Sequence, residues 1–263
     1  MEELQRDPRW VFPLEHWKKA TPSRSDDLSY EEELISRGKG VQFITRMASM
    51  LRLPSQTIFA ASLFLHRFYT RHSLKRLHPY QIAASCVFLA CKTEESPRKL
   101  KDVATITTKS ALKSQKTRAE VEKEHAADVE QWIKVIPSRE DELLQTLKFD
   151  FEETAPYDAL KFLIMKFVPA EDKNELGTLA TSFINDSCRT ILCITLSMKE
   201  LAVVALYWAS RTADKQIPDF EGEKWYSFVM PENKIIQSVN EMAEMLALVR
   251  NGVVDGQVYE KIQ

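Results

Sequence analysis

The chain is 263 residues long, enough for two domains of ordinary size, with 44% hydrophobic and 28% charged residues. A formal net charge of −2 supplies no global field for nucleic acid or anionic membranes, and only 6 glycines argue against a β-rich fold built on tight turns. No stretch is apolar enough over a bilayer's width: the run from Thr181 to Leu196 is interrupted by Asn185, Asp186 and Arg189.

Residues 1–27 read as an irregular arm in which Trp10, Phe12 and Trp17 stand among prolines and charges, acidic and aromatic in a way no signal peptide is. Such aromatics dock on the domain behind them or touch a partner. A first helix opens at Leu28-Ser29, with Ser29 as N-cap and Glu31, Glu32 and Glu33 in the turn where the helix dipole favours negative charge. Leu34, Val41, Ile44, Ala48 and Leu51 recur at helical spacing. Gly38 and Gly40 inside it each cost about 1 kcal/mol relative to Ala, which points to close helix–helix packing. Pro54 restarts the chain into a helix from Gln56 to Arg71 carrying Phe59, Leu63, Phe64, Phe68 and Tyr69. After His78-Pro79 comes a helix apolar on nearly every face, from Ile82 to Ala90 and ending in Lys92, which suits the centre of a bundle. Lys99 to Lys113 reads as a short amphipathic helix with Leu100, Val103, Ala104 and Ile106 inward. Ser114 to His125 reads as an exposed excursion, Glu120 to Trp132 as a helix, and Pro137-Ser138 as the start of another that ends at Phe149-Asp150-Phe151.

The second half, from Thr154-Ala155-Pro156, repeats the scheme: helices over Tyr157–Phe167, Asn174–Ile194 and Met198–Thr212, a short piece around Trp225, and a helix over Glu232–Arg250. Leu201 follows Ile82 by 119 positions, as Arg211 follows Lys92, so the second all-apolar helix sits at a constant offset from the first. The expectation is an all-α protein with two copies of one five-helix domain. The boundaries are an arm at 1–27, a first domain at 28–152, a second at 153–252 and a tail at 253–263. Cys86, Cys91, Cys188 and Cys193 pair at a spacing of five on helices, neither a metal nor a disulfide pattern. They read as buried reduced thiols, and the compartment as a reducing one.

No catalytic constellation stands out. His16, His66, His72, His78 and His125 form no H-E-x-x-H pattern, and neither a phosphate-binding glycine loop nor G-x-S-x-G occurs. A duplicated helical domain without such a site points to a binding protein, not an enzyme, with no cofactor and no metal. The excursion from Lys109 to Arg118, with Lys113 and Lys116, reads as a solvated loop or as a small basic patch of modest, salt-sensitive attraction. The helix Glu232–Arg250, with Met242 and Met245, reads as core or as the seat of a further subunit.

Several motifs, in order, resemble the cyclins, and among them the transcriptional cyclins of the K and T type. They are Arg9-Trp10-Val11-Phe12 with Thr21-Pro22-Ser23-Arg24, His66-Arg67-Phe68-Tyr69, Phe88-Leu89-Ala90-Cys91-Lys92-Thr93-Glu94-Glu95-Ser96-Pro97-Arg98-Lys99, Leu144-Gln145-Thr146-Leu147-Lys148-Phe149-Asp150, and Phe183-Ile184-Asn185-Asp186-Ser187. The resemblance implies two tandem cyclin boxes behind an N-terminal arm. It implies a nuclear regulatory subunit that binds and activates a cyclin-dependent kinase acting on the C-terminal repeat domain (CTD) of RNA polymerase II in transcription elongation. The nearest types are the cyclin K-like subunit of a fungal CTD kinase, which has a third subunit, and then cyclin T of the elongation kinase P-TEFb. The competing class is a cyclin-box general transcription factor of the TFIIB type, binding DNA and TATA-binding protein. Such a protein would be basic with a zinc ribbon, and this sequence is neither, so neither direct nucleic-acid binding nor a membrane is expected.

By the same resemblance, Lys92 and Glu140 form an ion pair on the kinase-facing surface, and Arg67, Phe88, Phe149 and Glu95 join it. Arg67 and Arg37 read equally as internal struts or partner contacts, and Phe88 and Phe149 as core or interface. The arm aromatics Trp10 and Phe12 are expected to pack on the first box near the kinase. Cell-cycle cyclins carry a substrate-recruiting M-R-A-I-L-x-x-W patch on the first helix. Here the matching stretch, Arg37-Gly38-Lys39-Gly40-Val41-Gln42-Phe43, lacks the Trp.

Overall fold

The computed structural model describes residues 10–111, 118–151 and 156–252. Arg9, Lys113, Lys116 and the tail at 253–263 lie outside the described residues, as do 152–155 around the expected boundary. The described chain is helical, with one isolated bridge between Phe220 and Glu223. It divides into two compact units, residues 21–152 and residues 153–263 joined by the arm, 1–20, so far as these are described. No helix among the described residues is long and apolar enough to cross a membrane.

The arm forms α1 (Leu14–Lys19). Trp17 is buried, Phe12 stacks on His16 at 5.1 Å, and the Phe12 N–H donates to the Ile194 carbonyl at 3.2 Å. The arm is therefore tied to the second unit, which corrects the expectation that Trp10 and Phe12 pack on the first.

In the first unit, α2 (Pro22–Ser25) starts at Thr21, whose hydroxyl accepts from the Arg24 N–H. In α3 (Tyr30–Leu51) the expected cap is a full capping box: Ser29 accepts from the Glu32 N–H and Glu32 accepts from that of Ser29. Arg52, left-handed at φ 52°, ends it, and α4 (Ser55–Phe68) follows Pro54. At Gly40 the helices meet closely, since a Cβ there would lie 2.8 Å from Leu65 Cδ2. Next comes α5 (Pro79–Thr93), with His78 as N-cap and Pro79 in the first turn. Every residue from Ile82 to Cys91 except Phe88 is buried, because α5 packs against α3, α4 and the last helix of the unit. In α6 (Leu100–Ala111) the buried stripe is Val103, Ala104, Thr107, Thr108 and Ser110, while Leu100 and Ile106 stay half-buried. The threonines reach the interior because each hydroxyl donates to a carbonyl one turn back, Val103 at 2.7 Å and Ala104 at 3.0 Å.

One helix, α7 (Arg118–Leu147), replaces the two expected, with Pro137 inside it. An interior proline costs about 3 kcal/mol. Ile136, Leu143 and Leu147 are fully buried, and the Ser85 hydroxyl donates to the Ile136 carbonyl at 2.9 Å, so packing on α5 holds the helix through the proline.

The second unit has α8 (Pro156–Phe167), α9 (Lys173–Ser187), a 3₁₀ turn at Leu192–Ile194, α10 (Met198–Thr212) and α11 (Glu232–Gly252). The expected helix over Asn174–Ile194 stops at Ser187. Ser187 donates to the Ile184 carbonyl, Thr190 to that of Ser187, and the Thr190 hydroxyl accepts from the Leu192 N–H, so hydroxyls take over the backbone partners. Ser197 and Glu200 form a second capping box, and every residue of α10 from Leu201 to Ser210 is buried against α8, α9 and α11. The two all-apolar stretches are thus the central helices of their units. All four cysteines are buried and unbridged, Cys86 and Cys91 in the first unit and Cys188 and Cys193 in the second.

Candidate functional site

The C-terminal parts of α5 and α7 bring together Lys92, Glu140 and Phe88. Lys92, in the last turn of α5, donates from Nζ to both carboxylate oxygens of Glu140 on α7, at 2.7 and 2.9 Å. Phe88 lies one turn before Lys92 on the same helix face, and the ammonium sits 4.2 Å from its ring centroid. The pair is asymmetric: the Lys92 side chain is 49% exposed and that of Glu140 10%. An ammonium carries three donors. Two go to Glu140, and the ammonium also lies over the Phe88 ring.

Both helices end in left-handed backbone held by non-glycine residues. At the end of α5, Glu95 has φ 49° while the Ser96 N–H returns to the Cys91 carbonyl at 3.0 Å. At the end of α7, Lys148 and Phe149 have φ 54° and 56°, and the Phe149 N–H returns to the Leu144 carbonyl at 3.2 Å. A left-handed residue with a Cβ costs roughly 1–2 kcal/mol, so packing around these ends must hold them. Phe151 supplies part of that hold, meeting buried Phe64 at 5.7 Å and Phe149 at 6.4 Å. Phe149 itself is 66% exposed. Of the two aromatics, Phe149 is presented outward and Phe88 is half-buried under Lys92.

Arg67 is 1% exposed on α4, with Nη1 3.5 Å from the Asp150 carbonyl. It is an internal strut behind the Lys148–Phe149 end, which corrects its assignment as a kinase-binding residue. Arg37 is likewise buried: it donates to the His66 carbonyl at 3.0 Å, the Tyr69 carbonyl at 2.8 Å and Glu33 at 2.8 Å. Glu33, read from sequence only as a first-turn acid, is the centre of that network. It also accepts from Thr21 Oγ1 and from Arg24 Nη2, each at 2.7 Å. Burial acts to raise its carboxyl pKa, but the Arg37 charge and the bonds from Thr21, Arg37 and Arg24 outweigh it and hold the group below its ordinary value. This network fastens the Thr21-Pro22-Ser23-Arg24 motif to α3.

Arg98 escaped the sequence reading as an individual residue. It donates from Nε and Nη2 to the Leu51 carbonyl at 3.3 and 3.2 Å, and from Nη1 to the Ser96 and Pro97 carbonyls at 3.1 Å. It ties the end of α3 to the loop after Glu95. The signal was an arginine just past Ser96-Pro97 opposite a helix end, Leu51-Arg52, with no glycine to cap it. In the stretch matching the substrate patch of cell-cycle cyclins, Arg37, Gly38, Gly40, Val41 and Phe43 are all buried. Only Lys39 is fully exposed there, so no apolar patch is presented.

Comparison with known proteins fits this geometry. A family model described as "Cyclin, N-terminal domain" matches residues 14–152, which hold the whole Lys92–Glu140 surface. The chain is 40% identical over 205 residues to Cyclin pch1 of Schizosaccharomyces pombe, covering 78% of this chain and 58% of that one. It is 34% identical over 261 residues to Cyclin-T1-4 of Arabidopsis thaliana, covering 98% of this chain and 47% of that one. The chain therefore spans about half the length of these curated relatives. In fold it is similar to a chain of the yeast RNA Pol II CTD kinase CTDK-1 complex, with a TM-score of 0.66 at 16% identity over 97% of this chain and 86% of that one. A chain of the yeast TFIIK (Kin28/Ccl1/Tfb3) complex gives a TM-score of 0.59 at 16% identity, covering 93% and 94% of the two chains.

Proposed function

The chain belongs to the cyclin family, and from that premise we propose that it is the regulatory subunit of a cyclin-dependent kinase that phosphorylates the CTD of RNA polymerase II, acting in the nucleus in transcription elongation. Cyclins are regulatory subunits of kinase complexes and not themselves catalytic. Two curated relatives are named as Cyclin pch1 and as a T-type cyclin, and one fold neighbour belongs to a complex named as a CTD kinase.

One observation carries the reading: a buried carboxylate, Glu140, holds a half-exposed ammonium, Lys92, at a surface whose flanking helix ends are locked from behind. Kinase activity needs a Lys–Glu ion pair between the small-lobe sheet and helix C, and an ordered activation loop. A partner shifts a kinase towards that state only by its differential affinity for it. A stiff surface with fixed donors and an exposed aromatic can discriminate helix positions in that way. Lys92, Glu140, Phe88, Phe149 and Glu95 are the proposed kinase contacts. The TFIIK assembly is named with three components, and we infer that a third subunit is also compatible with this chain.

The test is co-purification of the chain from nuclear extract, identification of partners by mass spectrometry, and a kinase assay on CTD repeat peptide. A cyclin-dependent kinase with CTD activity is the expected result. Recovery of promoter DNA or TATA-binding protein without a kinase would overturn the reading in favour of the TFIIB-like class.

A further inference from the structure

The net charge of −2 averages two parts of opposite sign. Residues 34–93 contain no Asp or Glu, where the chain's average acid content would place about nine, yet they keep 9 Lys and Arg. The stretch is therefore short of acids and not of charge. Over residues 34–118 there are 16 Lys and Arg against 3 Asp and Glu, and the other 178 residues hold 20 against 35.

Some of these cations are matched within the fold. Arg37 and Arg67 are internal, Arg76 holds Asp26, Lys75 lies in the field of Asp26 and Glu32, and Lys92 holds Glu140. Six others are exposed and form no ion pair among the described residues: Lys39, Arg46, Arg52, Lys99, Lys101 and Lys109. Arg71, also exposed and unpaired, stands past the far end of α4. The six gather along α3 and α6. Arg46 Nη1 donates to the Ser110 carbonyl at 2.8 Å, which sets Lys109 beside it. Arg98 Nη2 reaches the Leu51 and Arg52 carbonyls at 3.2 and 3.4 Å, which sets Lys99 beside Arg52. Lys39 lies two turns before Arg46 on the same face of α3, and from Lys39 to Arg52 the helix runs roughly 20 Å. Between them stand Gln42, Thr45 and Ser49, neutral hydrogen-bonding side chains, and the one exposed large apolar side chain of α3 is Met50.

Carboxylates are few on this face. Asp102 stands among the cations on α6, and Glu94 and Glu95 stand at the end of α5. Asp26, Asp27, Glu31, Glu32 and Glu33 cluster around the start of α3, at the opposite end from Arg52. Residues 119–152 hold 10 Asp and Glu against 4 Lys and Arg, mostly on α7, whereas α3 packs on α4, α5 and α6.

The pattern fits one class of ligand. A single phosphoryl or carboxylate group is best held by convergent, forked arginines. Here Arg98 is committed to carbonyls, and the free cations are spread along an open face. A peptide of mixed acidic and apolar residues needs apolar ground between the charges, and Met50 alone supplies it on α3. Phosphates repeated along a sugar backbone match spaced point charges with neutral hydrogen-bonding groups between them.

We propose that the α3–α6 face of the first unit binds the sugar–phosphate backbone of nucleic acid, without sequence preference, through these six side chains. It reverses the expectation drawn from total charge. The face is separate from Lys92 and Glu140, so the proposal stands or falls apart from the kinase reading.

The full chain is titrated into a short fluorescein-labelled RNA of mixed sequence, and separately into duplex DNA of the same length, with polyglutamate as competitor. Anisotropy should show binding at low salt that weakens a hundredfold or more between about 50 and 200 mM, as about five phosphate contacts predict, and the tighter of the two names the source. Lys39→Gln, Lys101→Gln and Lys109→Gln together should lower affinity more than tenfold and flatten the salt slope by about 2. All three are exposed and unpaired, so melting and activation of the kinase on CTD peptide should be unchanged. Lys161→Gln, Lys166→Gln and Lys199→Gln make the same charge change on exposed lysines of the second unit and should leave binding nearly intact. Bound RNA should slow chemical acetylation of Lys39, Lys99, Lys101 and Lys109 and not of Lys161 or Lys199. Salt-independent or undetectable binding, or equal loss from the two triple variants, would overturn the proposal. So would displacement of RNA by polyglutamate at equal charge, which would make the occupant an acidic protein, or kinase activation lost in the first variant, which would assign the face to the kinase.

Discussion

Replacing Glu140 by Ala separates the folding role of the Lys92–Glu140 pair from its proposed role at an interface. In the free protein the pair is half in water. Removing the carboxylate leaves no stranded charge, because the Lys92 side chain is 49% exposed and its ammonium can hydrate. Ion pairs of that exposure contribute about 0.2–1 kcal/mol. A loss of that size lowers the melting temperature of a domain this large by no more than about 4 °C. At the proposed kinase interface the same pair would be desolvated, and truncating one partner would cost about 2–5 kcal/mol, a loss of roughly thirtyfold or more in affinity. Calorimetric titration with the partner kinase, beside differential scanning calorimetry of the free chain, reads both quantities. Lys92→Ala and the double variant complete a cycle whose coupling term should be large for binding and small for folding. Near-wild-type kinase affinity in Glu140→Ala, or a melting temperature lowered by many times the expected shift, would refute the reasoning and make the pair a structural one.

Gly40→Val should destabilise the first unit by about 1–3 kcal/mol in denaturant titration, because a Cβ at Gly40 meets buried Leu65 at 2.8 Å and valine adds two methyls. Glu33 has a folded pKa below its ordinary value of 4.5, so its stabilising contribution is full above that value and is lost as pH falls through the folded pKa. Glu33→Gln should therefore be less stable at neutral pH and flatten the acid limb of stability against pH. Trp17→Ala should cost about 3–5 kcal/mol, read as earlier melting of the second unit, since the arm is fastened there and Trp17 is buried.

Much of the architecture was legible because it is written in local chemistry. Ser29 with Glu32 announces a helix start by hydrogen-bond geometry alone, and His78-Pro79 does so by a capping side chain and a preset φ. The central helices were visible because burial on all sides leaves no polar face to interrupt them. What escaped depends on distant partners. Pro137 carries the same signal as a helix start, and only the packing of Ile136 and Leu143 on α5 keeps the chain helical through it. Thr107 was not among the positions read as inward, and it is buried because the backbone one turn back accepts from its hydroxyl. Of the site, the pairing of Lys92 with Glu140 followed from family resemblance, and the geometry agrees. Arg67 and Arg37 were ambiguous, and Glu33 passed as a first-turn acid, because a charged side chain carries no sign of whether others will meet it in the interior.

The distribution of the thiols gives the molecule a reporter of its own opening. A thiol reacts as the thiolate, and burial pushes both Cys86 and Cys91 above the ordinary value, while Cys188 and Cys193 are shielded in the other unit. Alkylation therefore waits on exposure, and two cysteines are assigned to each unit. Timed alkylation followed by peptide mass spectrometry would date the opening of each unit separately. It would show whether a bound kinase slows the one that carries Lys92 and leaves the other free to breathe.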